Sequence, residues 1–333
     1  MRLIMFGTGP FAVPTFESLL KSEHEVVALV TRPIADSGKR RKTAENPTRD
    51  AGEAHGLKIF DPQSANEDAF VQQLVELKAD LFVVCDYGQI LSRECLGAAR
   101  LGGINLHGSL LPKYRGAAPI NWAIYNGDLV TGITIIHMTP KLDGGPCLVK
   151  AELEIGKTET SEEIEPRLAQ LGVQPVHEAI EMLEKWDGDS TIGEVQDKKL
   201  ATKAPRLKKT DGLIKWSQTG LQIVNQIRAF QPWPGSYSDW ESEKLKQPMR
   251  LIIHRASVFD LNSTNETESN IAASIEIENF QPGQVVIANK THLLVKAGDS
   301  LISIERIQPA GKKPMPVQDF LRGKPPSVGD WLK

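Results

Sequence analysis

The amino-acid sequence predicts an α/β protein: a Rossmann-like, doubly wound, mostly parallel sheet followed by a smaller barrel-like domain of OB type. Three observations carry this. Apolar runs of strand length alternate with amphipathic helical stretches through the first half, the pattern of βαβ units and a parallel sheet. The first run, residues 2–6, passes directly into Gly7-Thr8-Gly9-Pro10-Phe11-Ala12 and a helical stretch, a strand–glycine turn–helix unit. In the last third, short strand-like runs at 250–259, 283–288, 293–296 and 301–307 are separated by turns, which suits a small barrel.

In chain order, further strands are predicted over residues 25–30, 57–60, 80–85, 102–106, 132–138 and 147–155, with helices near 47–55, 66–77 and 117–125. One long amphipathic helix is predicted over 160–184. Thr160 and Glu163 open it in capping-box spacing, and Pro166 and Pro175 inside it predict a kink or a later start. Residues 187–206 are polar and lack apolar periodicity. The expected organisation is therefore a first domain over 1–186, a linker over 187–206 and a second domain over 207–333. A helix over 219–230 should end at Pro232-Trp233-Pro234-Gly235, and residues 261–281 should form a polar surface excursion.

The chain has 333 residues, 40% hydrophobic and 24% charged, an ordinary soluble globular composition. No run approaches the roughly 18 apolar residues of a membrane span, so no membrane association is expected. Residues 1–6 enter a strand at once, so no targeting segment is expected and the cytoplasm is the expected compartment. Cys85, Cys95 and Cys147 have neither zinc nor redox spacing, and the seven histidines are scattered, so neither a disulfide framework nor a metal is expected. The net charge of −3 is unevenly spread. Residues 1–200 hold 21 Lys and Arg against 29 Asp and Glu, whereas residues 201–333 hold 18 against 13. The basic second part permits a polyanionic partner. The polar stretch 32–49, with Lys39, Arg40, Arg41 and Lys42 in succession, suits phosphate contacts; the competing interpretation is a solvated charged loop.

The glycine turn at Gly7 and Gly9 matches a dinucleotide fingerprint. The second strand, however, ends in Thr31-Arg32-Pro33 where an acidic residue should hold a ribose hydroxyl. Arg32 keeps NADP, and hence a dehydrogenase, open as an alternative. The stronger site lies at the end of the strand 102–106. Asn105 and His107 are two apart, so they share one face of that strand where it runs into turn residues. An amide and an imidazole there suit a developing oxyanion. The competing interpretation is a turn-forming Asn and a satisfied strand-end His. No G-x-S-x-G elbow, activated thiolate or Walker A loop is present. Asp143, in the run Asp143-Gly144-Gly145, is the natural carboxylate partner for His107, unless it forms an Asp-Gly turn for backbone reasons.

The run Ile104-Asn105-Leu106-His107-Gly108-Ser109-Leu110-Leu111-Pro112, followed by Arg115-Gly116-Ala117-Ala118-Pro119-Ile120, resembles the signature of the folate-dependent formyltransferases. Leu142-Asp143-Gly144-Gly145 resembles their aspartate loop. Lys203-Ala204-Pro205-Arg206-Leu207, Ile214-Lys215-Trp216, Ile227-Arg228-Ala229-Phe230, Pro232-Trp233-Pro234-Gly235 and Gln308-Pro309-Ala310-Gly311-Lys312-Lys313 are similar to runs in the members that formylate an aminoacyl-tRNA. The resemblance implies a catalytic trio of Asn105, His107 and Asp143. It also implies 10-formyltetrahydrofolate as co-substrate, with no metal and no NAD. The pterin would lie along Asp86, Tyr87, Gly88, Gln89, Ile90 and Leu91, with Ser109, Leu110, Leu111, Pro112 and Thr139 completing the wall. The implied partner is charged initiator methionyl-tRNA, held by Lys39, Arg40, Arg41, Lys42, Arg206, Lys208, Lys209, Lys312 and Lys313, and the enzyme is expected to act as a monomer. Gly144 stands where the family usually has Thr, and Pro146 where an acidic residue is common, so folate contacts should differ there. The alternative within the family is a sugar-nucleotide N-formyltransferase using the same donor.

Overall fold

The computed structural model describes residues 1–34, 45–262, 264–273, 276–323 and 325–333. The chain divides into two compact units. One comprises Met1–Ile120, Val130–Ile155 and Glu163–Arg206; the other comprises Asn121–Leu129, Gly156–Glu162 and Leu207–Lys333.

In the first unit, β1 (Arg2–Gly7), β2 (Glu25–Val30), β3 (Ile59–Phe60), β4 (Leu81–Cys85) and β5 (Gly103–His107) lie parallel in the order β3-β2-β1-β4-β5. Strands β1 and β4 are buried almost throughout because helices cover both faces, which is why they read as unbroken apolar runs. Ile4 and Phe6 pack with Phe70, Leu74, Phe82 and Tyr87 in one cluster. The connections use α1 (Val13–Leu20), α2 (Pro47–Ala54), α3 (Asp68–Glu76) and the short α4 (Arg93–Leu96). The Asn46 side chain caps α2 by accepting from the Arg49 N–H, and Pro47 opens the first turn.

After β5 the pattern changes. The short β6 (Arg115–Gly116) and α5 (Pro119–Tyr125) follow, and then β7 (Val130–His137) and β8 (Cys147–Glu154) add to the sheet in antiparallel fashion, completing the order β3-β2-β1-β4-β5-β7-β8. The long helix expected over 160–184 is two helices, α6 (Ser161–Leu171) and α7 (Val173–Glu184). The break falls at Gly172 because Pro175 has no N–H to give the Leu171 carbonyl. Gly172 also packs against Leu106, where an added Cβ would lie 2.6 Å from Cδ2. Within the stretch 187–206, β9 (Lys203–Ala204) pairs in parallel with β6, and Glu194 bridges Cys147.

The second unit is a nearly closed antiparallel sheet in the order β12-β13-β14-β11-β10-β16. Its elements are α8 (Gly220–Ala229), β10 (Ser236–Glu241), β11 (Met249–Val258), α9 (Glu266–Ala273), β12 (Val285–Ala288), β13 (Leu293–Lys296), β14 (Leu301–Pro309), β15 (Met315–Pro316), α10 (Val317–Gly323) and β16 (Trp331–Leu332). A bridge between Gln284 and Trp331 brings the two edges together. Thr219 and Gln222 form a capping box at α8, whose Ile223 and Ile227 enter the core beside Trp240, Leu251, Ile253 and Ile304. The excursion expected to be polar surface carries α9. Its Ile271, together with Ile277 and Phe280, covers Phe259, Val286, Leu294 and Leu301.

Candidate active site

Asn105 and His107 sit at the C-terminal end of β5, two residues apart on one face. Asn105 is half-buried, and the His107 side chain is 5% exposed. Tyr114 lies in the left-handed region, at φ 63°, and its carbonyl oxygen stands 2.9 Å from His107 Nε2. That leaves Nδ1 as the ring nitrogen turned to Asp143, whose Oδ2 is 3.8 Å away. The same Oδ2 accepts the Gly116 N–H at 2.8 Å. A direct hydrogen bond would be shorter than 3.8 Å. An oxygen or nitrogen at ordinary hydrogen-bond distance from both atoms can sit beside the pair, as a water or a reacting amine would.

The loop that delivers Asp143 joins β7 to β8. Asp143 itself has φ 45°, an unfavourable conformation for a side-chain-bearing residue outside Asn and Asp. Gly145 is required next to it, because a Cβ there would lie 1.9 Å from the His137 carbonyl oxygen. Gly144, which stands where the resembling family usually has Thr, has the flexible Lys141 side chain nearest to it. Gln196, 7% exposed, donates to the carbonyls of Asp143 and Gly145 at 2.9 and 2.6 Å. It accepts from Arg115 Nε and Nη2 at 3.0 and 2.6 Å. Sequence reasoning missed Gln196: a lone glutamine in a polar stretch carries no periodicity and no motif.

Of the expected folate loop, Gly88 and Ile90 are exposed, and Gln89 is tied to the Ala65 N–H and the Gln63 carbonyl. The Tyr87 side chain turns inward onto Phe6, and Leu91 joins the same core, so both can serve a ligand there only through their backbone. Asp86 has φ 50°, and its carboxylate lies over Gly9, where an added Cβ would meet Oδ2 at 1.8 Å. The residue as a whole is open to solvent, but its carboxyl end is tucked against the chain. Desolvation there holds it above the usual carboxylate range, against the opposing pull of Arg32 and the Gly9 N–H. The glycine turn thus already faces a carboxylate, which would repel a phosphate. Ser109 Oγ donates to the Lys113 carbonyl, and Thr134 Oγ1 links the Ser109 carbonyl to the Leu111 N–H. Leu111 is buried against Ile136 and Cys147, while Leu110, Pro112 and Thr139 are half-buried. Among the described residues no three His, Cys, Asp or Glu are grouped as metal ligands, and no helix is long and apolar enough to cross a membrane. Lys39, Arg40, Arg41 and Lys42 lie outside the described residues. Arg206, Lys208, Lys209, Lys312 and Lys313 are exposed.

A formyl transferase family model matches residues 1–180, and the model of the formyl transferase C-terminal domain matches residues 206–325. The chain belongs to the formyl transferase family. It is 41% identical to a methionyl-tRNA formyltransferase of Rhodopirellula baltica over 100% of this chain and 96% of that protein. It is 37% identical to that of Alkaliphilus oremlandii over 100% and 99%. Solved structures share the fold. An N-formyltransferase from Helicobacter canadensis, in complex with folinic acid and dTDP-3-aminofucose, superposes with a TM-score of 0.61 at 16% identity, covering 91% of this chain and 98% of that one. HypX from Aquifex aeolicus in complex with tetrahydrofolic acid gives 0.59 at 15% identity. This chain is covered completely there but spans only 50% of HypX. With the family shown, the Gly7/Gly9 turn belongs to a formyl transferase, and the dehydrogenase alternative is overturned.

Proposed function

We propose that this formyl transferase moves the formyl group of 10-formyltetrahydrofolate to the α-amine of methionine on charged initiator tRNA, acting as a cytoplasmic monomer. The observation that carries the reading is the His107–Asp143 pair beside Asn105, set in a chain that matches methionyl-tRNA formyltransferases from end to end. Ile90 and Leu142, 56% and 51% exposed on the two flanking loops, suit the flat apolar part of a folate.

In the reaction the amine nitrogen attacks the formyl carbon, a C–N bond forms, and the bond from that carbon to N10 of the folate breaks. The Asn105 amide donates to the oxyanion that develops on the formyl oxygen. His107, oriented through Nε2 by the Tyr114 carbonyl, presents Nδ1 to the reactants. Asp143, directly or through a water held beside it and Nδ1, takes the proton leaving the amine and returns one to N10. Lys39, Arg40, Arg41, Lys42, Arg206, Lys208, Lys209, Lys312 and Lys313 hold the tRNA phosphates. Asp86, Gly88, Gln89, Ser109, Leu110, Pro112 and Thr139 border the folate, with Tyr87, Leu91 and Leu111 shaping it from behind.

The test is to incubate the protein with 10-formyltetrahydrofolate and charged initiator tRNA and to assay formyl-methionine. Formylation of an amino-sugar nucleotide, with none on the tRNA, overturns the reading.

A further inference from the structure

Gln196 is buried while its neighbour Val195 is 75% exposed, the reverse of what their side chains prefer in water. Burying an amide is tolerable only if its polar atoms find partners. Here they all do: Nε2 reaches two carbonyl oxygens and Oε1 receives two guanidinium N–H groups. The two carbonyls belong to Asp143 and Gly145 and so bracket the turn that points Asp143 at His107. The guanidinium belongs to Arg115, whose neighbour Gly116 gives its N–H to the Asp143 carboxylate. One amide therefore joins the backbone of the aspartate to the strand that grips its side chain.

The rest of the segment reinforces this frame. Glu194 and Cys147 exchange two backbone hydrogen bonds, each of 2.8 Å. Thr202 Oγ1 accepts the Tyr114 N–H at 2.9 Å, and the Tyr114 carbonyl meets His107 Nε2. The left-handed backbone of Asp143 lies inside this frame.

We propose that Gln196, acting with Arg115, is a positioning residue for formyl transfer, setting the Asp143 carboxylate against His107 Nδ1. The proposal rests on the reading of Asp143 as the proton-handling group. The Gln196 amide spends its polar atoms on protein partners and so acts through Asp143. Its loss acts on the rate through the placement of a carboxylate, and a misplacement of about 1 Å typically costs on the order of 10²-fold.

The experiment compares Gln196→Met with Gln196→Glu, in the full chain and again in an Asp143→Asn background, by single-turnover and steady-state formylation. Met fills the volume without hydrogen bonds; Glu keeps the contact with Arg115 but cannot donate to the two carbonyls. The expected result is a fall in kcat of about 10- to 100-fold, with KM for folate and for tRNA within twofold of the parent. In the Asp143→Asn background the same changes should cost less than about threefold more, because the group they position is gone. Near-parental kcat in both Gln196 variants overturns the proposal. An equal fold loss in both backgrounds also overturns it, since that is the mark of a purely structural role. Near-parental turnover by Asp143→Asn alone overturns the reading of Asp143, and it is seen separately in the single variant. Should Gln196→Met fail to fold, Gln196→Glu carries the same comparison.

Discussion

Asp143 Oδ2 accepts the Gly116 N–H at 2.8 Å while standing 3.8 Å from His107 Nδ1, so one oxygen is anchored on one side and open toward the imidazole on the other. A carboxylate held in this way has lost rotational freedom before any substrate arrives. Asp143→Asn keeps an oxygen for Gly116 but removes the charge and the proton acceptor. Turnover should fall by about 10²- to 10⁴-fold, the usual worth of a general acid–base group, with an unchanged circular dichroism spectrum and melting temperature. Near-normal turnover would remove Asp143 from the mechanism.

Gly116→Ala should damage the site through the backbone. Gly116 has φ 132°, and a Cβ there would lie 2.3 Å from the Ala204 carbonyl oxygen, which β-pairing holds in place. The strand Arg115–Gly116 must then separate from Lys203–Ala204 or lose its hydrogen bond to Asp143. A destabilisation of about 1–3 kcal/mol in urea unfolding is expected, with reduced turnover in the fraction that remains folded. Unchanged unfolding would mean that the pairing gives way freely.

Much of the fold was legible in the sequence, and the misses share a physical cause. β1 and β4 were readable because burial on both faces makes them continuously apolar. β10 was not, since its inward positions are Ser236, Ser238 and Trp240, and two small hydroxyl residues hide the period of two. They are tolerated inside because Ser238 Oγ serves both the Trp216 N–H and the Lys333 carbonyl, and Ser236 Oγ donates to the Gln226 carbonyl. In the site, Asn105 and His107 could be put on one face from their spacing, but Asp143 reaches His107 through a loop whose path no spacing rule encodes. Gln196 is further still from legibility, being set by four tertiary hydrogen bonds.

Asp86 supplies a pH test. Its carboxyl titrates above the usual range in the folded protein because the chain around Gly9 desolvates it. The folded state therefore binds that proton more tightly than the unfolded chain does. The ionised carboxylate opposes folding fully above its folded value, and this ceases as the pH falls below the ordinary carboxylate value near about 4. Asp86→Asn should raise the melting temperature at pH 8, and the gain should vanish near pH 3.5. A gain of equal size at both values would show that charge is not its source.

The residues 261–281 are expected to contribute to stability. Ile271, Ile277 and Phe280 cover Phe259, Val286, Leu294 and Leu301. Phe280→Ala should destabilise the protein by about 1–3 kcal/mol, less than a fully buried aromatic because Phe280 is half-exposed. Thermal denaturation checks it, and a change within about 0.5 kcal/mol would make the excursion an ornament.

Lys312 and Lys313 are exposed, in the segment between β14 and β15. Replacing both with Glu should raise KM for tRNA severalfold, leave KM for folate unchanged and flatten the salt dependence of tRNA binding. Steady-state kinetics at two salt concentrations decides it; an effect on folate alone would exclude a role in holding phosphates.

The second unit takes in residues 121–129 and 156–162 from the middle of the chain. Tyr125 stacks on Phe230 with centroids 5.2 Å apart, the Ala229 carbonyl accepts from both Asn121 and Ser161, and Arg228 donates to the carbonyls of Gly156 and Glu159. The polypeptide therefore crosses between the units five times. A gene fragment beginning at Leu207 would encode a barrel stripped of the two segments that finish the end of α8. Exchanging residues 207–333 alone would leave the end of α8 without the partners that residues 121–129 and 156–162 supply, so those two segments travel with the barrel as part of one folding unit.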